Sequence, residues 1–370
     1  MRSSQAFYLG IAVGGVVVFL YNSLRKKSQY KIYGDVSELI GNTPILRINS
    51  LSEETGCEVL AKMEVYEPGG SAKDRVALGI IEDYEKRGLL KKGDVIFEGT
   101  SGSTGISLAM LARSRGYEAH ICVPDDTSTN KIRLLESLGA NVEKVRPASI
   151  IDKNHYVNKA RSLAEQICND QDDPRNAVFA DQFENEVNWK VHYQTTGPEI
   201  YRQCDGSLDA FVTGAGTGGT IAGVGRYLKQ KVPNVRIVLA DPQGSGLYNS
   251  VKYGVMYDSV EKEGSRKRHQ VDTVVEGIGL NRRTKNFEAG AMYIDDAFRI
   301  TDKEAVEMAR HLVSKDGLFV GSSSAVNCAA AKKLAEQLGP GHRIVTVICD
   351  SGARHLNKFW KITSEDTSGP

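Results

Sequence analysis

The sequence predicts an α/β protein in which parallel or mixed sheets are covered by helices on both faces. Short apolar runs alternate with segments of helical period almost from end to end, the pattern of repeated βα units with doubly buried strands. Glycine- and hydroxyl-rich loops follow several of those runs directly, where α/β sheets place their ligands. About ten strand segments over roughly 340 residues are too many for one small doubly wound unit, so two sheets are expected.

Strands are expected at Val59–Met63, Val95–Glu98, Ala119–Val123 and Val142–Val145, alternating with helices at Val76–Arg87, Thr104–Arg115 and Asn130–Leu138. Further strands at Asp209–Thr213, Arg236–Ala240 and Ile344–Cys349 are separated by helices near Thr220–Lys231, Lys303–Asp316 and Ser324–Leu338. The basic run Lys262–His269 reads as a solvated loop. The chain beyond Lys361 reads as a polar, flexible tail.

Composition excludes some functions. The 47 basic side chains balance 46 acidic ones, so no global field draws in nucleic acid. The six cysteines, Cys57, Cys122, Cys168, Cys204, Cys328 and Cys349, have neither CxxC pairing nor zinc-ligand spacing, which implies a reducing compartment and no metal site. Cys122 and Cys349 read as small apolar strand residues.

Residues 3–24 carry no charge, and Ala6–Leu20 is almost wholly apolar, followed at once by Arg25, Lys26 and Lys27. A helix of that length would cross a hydrocarbon core about 30 Å thick, and the cations would keep the downstream chain in the cytosol. A membrane anchor over 1–27 is therefore expected, in the mitochondrial outer membrane, with the endoplasmic reticulum as the second choice.

Three loops and one helix start carry the chemistry. Thr213–Thr220 (TGAGTGGT) follows a strand and opens a helix, so successive unobstructed N–H groups at a positive helix end form an anion cradle suited to phosphate. Gly214, Gly216 and Gly219 also fit the dinucleotide fingerprint, with Asp241 as the ribose carboxylate, although Asp241 precedes Pro242 and has a structural alternative in the turn. Thr100–Gly105 (TSGSTG) concentrates hydroxyls at another helix start, a receptor for carboxylate or phosphate. Gly321–Ala325 (GSSSA) by itself reads only as a cap. Lys73 lies at a glycine-flanked helix start, where desolvation lowers an amine's pKa enough for Schiff-base chemistry.

Residues 37–47 (SELIGNTPILR), 67–76 (EPGGSAKDRV), 98–109 (EGTSGSTGISLA), 195–200 (TTGPEI), 214–220 (GAGTGGT) and 321–324 (GSSS) resemble, in order, the signature segments of the cysteine synthase and cystathionine β-synthase family, fold-type II pyridoxal-phosphate enzymes. The resemblance runs from about Val36 to about Phe359. Residues 240–245 and 275–279 look more like the cystathionine synthase core. The lack of a haem-binding extension and a regulatory module looks like cysteine synthase, and the N-terminus resembles a fungal mitochondrial cysteine synthase-like group.

The resemblance implies pyridoxal 5'-phosphate and a tryptophan synthase β-like fold. The larger cofactor-binding domain would comprise 28–77 and 186–361, the smaller mobile domain 78–185, and the flexible tail 362–370. It makes Lys73 the Schiff-base lysine and the base for the substrate α-proton. Gly216, Thr217, Gly218, Gly219 and Thr220 would hold the phosphate, and Ser323 the pyridine nitrogen. Thr100, Ser101, Thr104 and Gln182 would clamp the substrate carboxylate. Where the family has asparagine at the cofactor's 3'-oxygen, this sequence has Ser103, a shorter group with one donor.

The implied activity is β-replacement: O-acetylserine and sulfide give cysteine and acetate through an α-aminoacrylate, in a homodimer by family expectation. The alternatives are a cystathionine β-synthase-like reaction, cysteine desulfhydrase-like β-elimination, and a pseudo-enzyme serving as a scaffold. A nicotinamide enzyme would leave Lys73 and the 100–105 loop unexplained.

Overall fold

The computed structural model describes residues 32–148, 150, 152–257 and 273–365. Residues up to Leu39 form a unit of their own, whose described part holds a 3-10 turn over Val36–Leu39; the Ser37 amide donates to Asp35 Oδ1 at 2.7 Å.

From Ile40 onward the described chain contains strands β1 (Ile45–Arg47), β2 (Glu58–Met63), β3 (Val95–Gly99), β4 (Glu118–Pro124), β5 (Asn141–Val145), β6 (Ala177–Phe179), β7 (Ala210–Thr213), β8 (Arg236–Pro242), β9 (Asp296–Ile300) and β10 (Arg343–Ile348). The early helices are α1 (Asn49–Thr55), α2 (Lys73–Lys86), α3 (Ser103–Arg115), α4 (Thr129–Ser137), α5 (Tyr156–Asn169), α6 (Val187–Val191) and α7 (Gly197–Gln203). They are followed by α8 (Gly219–Lys231), α9 (Leu247–Tyr253), α10 (Lys285–Ala291), α11 (Asp302–Asp316), α12 (Ser322–Leu338) and α13 (Phe359–Glu365).

Two sheets form, as expected. One has six strands in the order β1-β2-β10-β7-β8-β9, and the other four in the order β5-β4-β3-β6. Every pairing is parallel except β1 with β2, which makes the larger sheet mixed. Helix α12 packs Ala325, Val326, Ala329 and Ala330 into the core under one face of the large sheet, and its small side chains let the helix approach closely. Ile221, Val224 and Leu228 of α8 fill the other face against Phe211, Ile237 and Val345. Local signals place the helix ends: α11 starts in a capping box between Thr301 and Glu304 and stops at Gly317, whose φ is 67°.

The predicted transmembrane helix is withdrawn from this fold. No helix among the described residues is long and apolar enough to cross a membrane, and the expected span at 3–24 lies outside the described residues. The longest described helix, α12, has 17 residues and carries Lys332, Lys333 and Glu336, whereas a span needs about 20 apolar ones. Helix α13 covers residues 362–365 of the span read as a tail, and residues 366–370 lie outside the described residues. The basic run Lys262–His269 lies outside the described residues.

Candidate active site

Lys73 is the first residue of α2, entered through the bend at Gly70 with φ 78°. Its ammonium makes no hydrogen bond or ion pair with the described residues. Burial lowers its pKa, against the opposing pull of Cys349, Asp350 and Glu64. Its neighbours fix the helix start. Asp74 accepts the Gly69 amide and the Ser107 hydroxyl, both at 2.5 Å, and so ties α2 to α3.

Arg75, 1 % exposed, lies between three carboxylates: Glu64 at 2.8 Å, Glu67 at 2.9 Å and Glu199 at 2.7 Å. Lys62 adds a second cation to Glu199 at 2.7 Å. Three buried carboxylates outnumber the two cations, and burial beside Glu64 pushes Glu67 up to about 8, against the pull of Arg75 and the Gly41 amide.

The cradle precedes α8. Gly218 is in the left-handed region at φ 88° and has no side chain to cap the helix; among its first N–H groups, that of Gly219 makes a long 3.5 Å contact to Thr217 Oγ1. A Cβ at Gly216 would strike the Gly277 carbonyl oxygen, and one at Gly218 would come to 2.5 Å from Phe287 Cα. The loop is therefore bare backbone by necessity. Asn188 donates 2.9 Å to Thr217 Oγ1, and Thr220 Oγ1 meets His192 Nε2 at 3.3 Å. Burial, with help from the Arg75 and Lys73 cations, keeps His192 well below the usual imidazole range, so the ring is neutral. Asp241, offered by the dinucleotide reading as a ribose ligand, accepts the Tyr248 amide at 2.6 Å instead.

The hydroxyl loop precedes α3, whose start also has no side-chain cap. Thr104 donates to Gln182 Oε1 at 2.6 Å, and Gly102 N–H donates to Thr100 Oγ1 at 3.1 Å. Ser101 is half-buried beside them. Ser103 accepts from Arg354 at 3.1 Å, and Arg354 also donates to the Gly69 carbonyl, so this arginine links the hydroxyl loop to the lysine loop. Glu98, fully buried, accepts the Gln182 and Gly99 amides, and burial pushes it up to about 8. Asn188 also donates to the Gln182 carbonyl at 2.7 Å, which joins the hydroxyl loop to the cradle.

The GSSS segment differs from its reading as a cap, since no side chain caps α12. Ser322 accepts the Glu276 amide at 2.9 Å and Ser324 the Cys349 amide at 2.8 Å; these serines hold loops in place. Ser323 is near enough to the Cys349 thiol to offset part of the effect of its burial. Cys349 is correspondingly not a plain strand residue: it follows β10 within electrostatic reach of Lys73, and burial pushes its thiol up to about 11. Cys122, by contrast, is buried in β4 as expected.

The residues read from sequence thus converge on one place, through contacts that sequence reasoning missed. Asn188, His192, Glu98 and Arg354 carry those contacts. Of these only Glu98 falls inside a segment singled out from the sequence, at the head of residues 98–109; Asn188, His192 and Arg354 lie outside those segments, and His192 opens the π-helical turn His192–Thr196.

An unpaired, desolvated amine beside an uncapped glycine cradle fits the aldehyde and phosphate of pyridoxal phosphate. The sequence profile described as "Pyridoxal-phosphate dependent enzyme" matches residues 36–350. The chain is 61% identical over 341 residues to the "Cysteine synthase 2" of Emericella nidulans, covering 89% of this chain and 80% of that protein. It is 55% identical to the "Putative mitochondrial cysteine synthase" of Saccharomyces cerevisiae, over 96% of this chain and 92% of that one. An O-ureido-L-serine synthase crystal structure superposes with a TM-score of 0.75 at 32% identity, covering 89% of this chain and 95% of that one. The fold, the site and these relatives agree that the chain belongs to the pyridoxal-phosphate dependent enzymes, in their cysteine synthase family.

Proposed function

We propose that the protein makes cysteine by β-replacement: O-acetylserine and hydrosulfide enter, and cysteine and acetate leave. The observation that carries this reading is the convergence of Lys73, the cradle at 216–220 and the hydroxyl loop at 100–104, in a chain whose relatives at 55% and 61% identity bear cysteine synthase names. Pyridoxal phosphate, bound through Lys73, supplies an electron sink that makes an amino acid's α-proton acidic.

The chain's residues do the rest. Gly216, Thr217, Gly218, Gly219 and Thr220 hold the phosphate with backbone and hydroxyl donors, and neutral His192 orients Thr220. Thr100, Ser101, Thr104 and Gln182 bind the substrate carboxylate at the uncapped start of α3. Lys73, kept less basic by burial, takes the α-proton on its ε-nitrogen, after which acetate departs and hydrosulfide takes its place on the β-carbon. Ser323 offers the pyridine ring a neutral partner. Ser103 reaches the 3'-oxygen less directly than asparagine would, and Arg354 holds its hydroxyl. Closure of residues 78–185 over the bound carboxylate would exclude water.

The test is the holoenzyme with O-acetylserine and sulfide. Equal yields of cysteine and acetate are expected. A protein that carries the cofactor yet releases no acetate, or turns over serine with homocysteine instead, overturns the reading. A mitochondrial location, supported by the name of the Saccharomyces relative, is tested by fractionation, and a homodimer by light scattering.

A further inference from the structure

A line of alternating charges leads from the small sheet's helix α4 to the floor beside Lys73. Lys131 on α4 pairs with Glu276 at 3.1 Å, Glu276 meets His355 Nδ1 at 3.1 Å, and His355 Nε2 meets Asp350 at 2.9 Å. The members come from four separate segments. Asp350 follows Cys349 at the end of β10, and its electrostatic pull reaches Lys73. His355 lies in the 3-10 turn Gly352–His355, and Glu276 is pinned by its amide to Ser322 on α12.

Three details show that this is a built arrangement. His355 is 6 % exposed, and both ring nitrogens face carboxylates, which only the doubly protonated ring satisfies as donor twice over. A Cβ at Gly321 would collide with Asp350 Oδ1 and lie 2.8 Å from His355 Nε2, so glycine there makes room for the pair. Asp350 Oδ1 is buried and has no hydrogen-bond partner, so the carboxylate is oriented by His355 through its other oxygen alone.

We propose that His355 is a positioning residue: it fixes the Asp350 carboxylate beside Lys73 and, through Glu276 and Lys131, couples that carboxylate to helix α4 of the small sheet. Burial opposes protonation of the ring, but the hydrogen bonds to Asp350 and Glu276 outweigh it and push His355 up to about 9, while the same partner and Lys131 hold Glu276 down at about 2. Asp350 and Glu276 are the charges that meet the imidazole directly, and Lys131 faces it through Glu276. In this arrangement, the small sheet's attachment and the electrostatics at the reacting amine answer to one residue. The proposal rests on the reading of Lys73 as the reacting amine, but its test does not depend on which amino acid is turned over.

The test uses the full-length holoenzyme in two measurements. In protein labelled with nitrogen-15 histidine, His355 is expected to show both ring nitrogens protonated at pH 7.5; a neutral tautomer there overturns the proposal. In hydrogen exchange, Lys131→Met and His355→Gln are each expected to speed exchange of the 129–137 amides about tenfold while β8 amides stay unchanged. His355→Gln that leaves 129–137 unchanged, or that speeds exchange everywhere equally, reduces the residue to local packing and overturns the coupling. Lys131 is half-exposed, so its methionine variant tests the cross-sheet link even where His355→Gln fails to fold. A pH profile of kcat completes the set. Asp350→Asn removes an anion that raises the pKa of Lys73, so the rising limb is expected to move to lower pH by about half a unit or more, and an unmoved limb overturns the role beside Lys73.

Discussion

The two helix starts that face the site are built on opposite principles. The start of α8 is mostly glycine pressed against backbone, where no Cβ fits at 216 or 218 and the two threonines, Thr217 and Thr220, are held by Asn188 and His192. The start of α3 is a cluster of hydroxyls, two of them held by long-range partners, Thr104 by Gln182 and Ser103 by Arg354, and a third, Thr100, by the local Gly102 amide. Both leave their helix N–H groups uncapped, so both attract anions, but a backbone cradle has one shape and a hydroxyl ring has several. The rigid start suits a cofactor phosphate that stays, and the adjustable one suits a carboxylate that arrives and leaves in every turnover.

Lys73→Ala should have the largest effect, since it removes the amine both starts serve. Covalent cofactor capture should vanish, and cysteine formation should fall by about 10³-fold or more, as read by visible absorbance and product assay. Gly218→Ala tests the rigid side. Alanine at φ 88° is strained and its methyl meets Phe287, so cofactor affinity should fall about 100-fold in equilibrium dialysis while the lysine remains intact. A drop of less than threefold would mean that the cradle can flex.

Next in size is a pH effect at the Lys131–Glu276–His355–Asp350 line, which ties helix α4 to the end of β10. His355 binds its proton more tightly folded, at about 9, than unfolded, at about 6.5, so its stabilisation is complete below pH 6.5 and is lost as pH rises through about 9. Denaturant titrations should show on the order of 2 kcal/mol disappearing over that window, and His355→Gln should flatten it. Thr104→Val should be the mildest change. Loss of one hydroxyl from the ring should raise KM for the amino-acid substrate about tenfold and leave cofactor retention untouched, which separates the two starts experimentally.

The two starts were also unequally legible in the sequence. Glycines at 216, 218 and 219 announce a bare backbone because few other constraints select that residue, and β3, β4, β8 and β10 show as apolar runs whose ends fall within about two residues of the observed strands. The short β6 and β9 left no comparable run, and α5 was passed over although its apolar face packs Ala160 and Ala164 under β3. The hydroxyl ring was visible as composition only. What holds it, Gln182 with Glu98 and Ser103 with Arg354, spans 84 and 251 residues of sequence, and no local pattern records such a distance. Cys349 was misread for the same reason: its neighbours Ser323 and Lys73 are remote in the chain.

The Arg75 cluster bears on how the protein comes together. Its guanidinium is satisfied only when segments around Thr43, Glu64 and Glu199 have all arrived, the last 124 residues along the chain. A partly assembled chain that docked α2 before the Glu199 segment would bury the Arg75 cluster with one of its three carboxylates missing, a costly imbalance. Lys73, two residues earlier, reaches its finished surroundings only together with that cluster. The ion cluster thus ties the surroundings of Lys73 to a contact that closes 124 residues of chain.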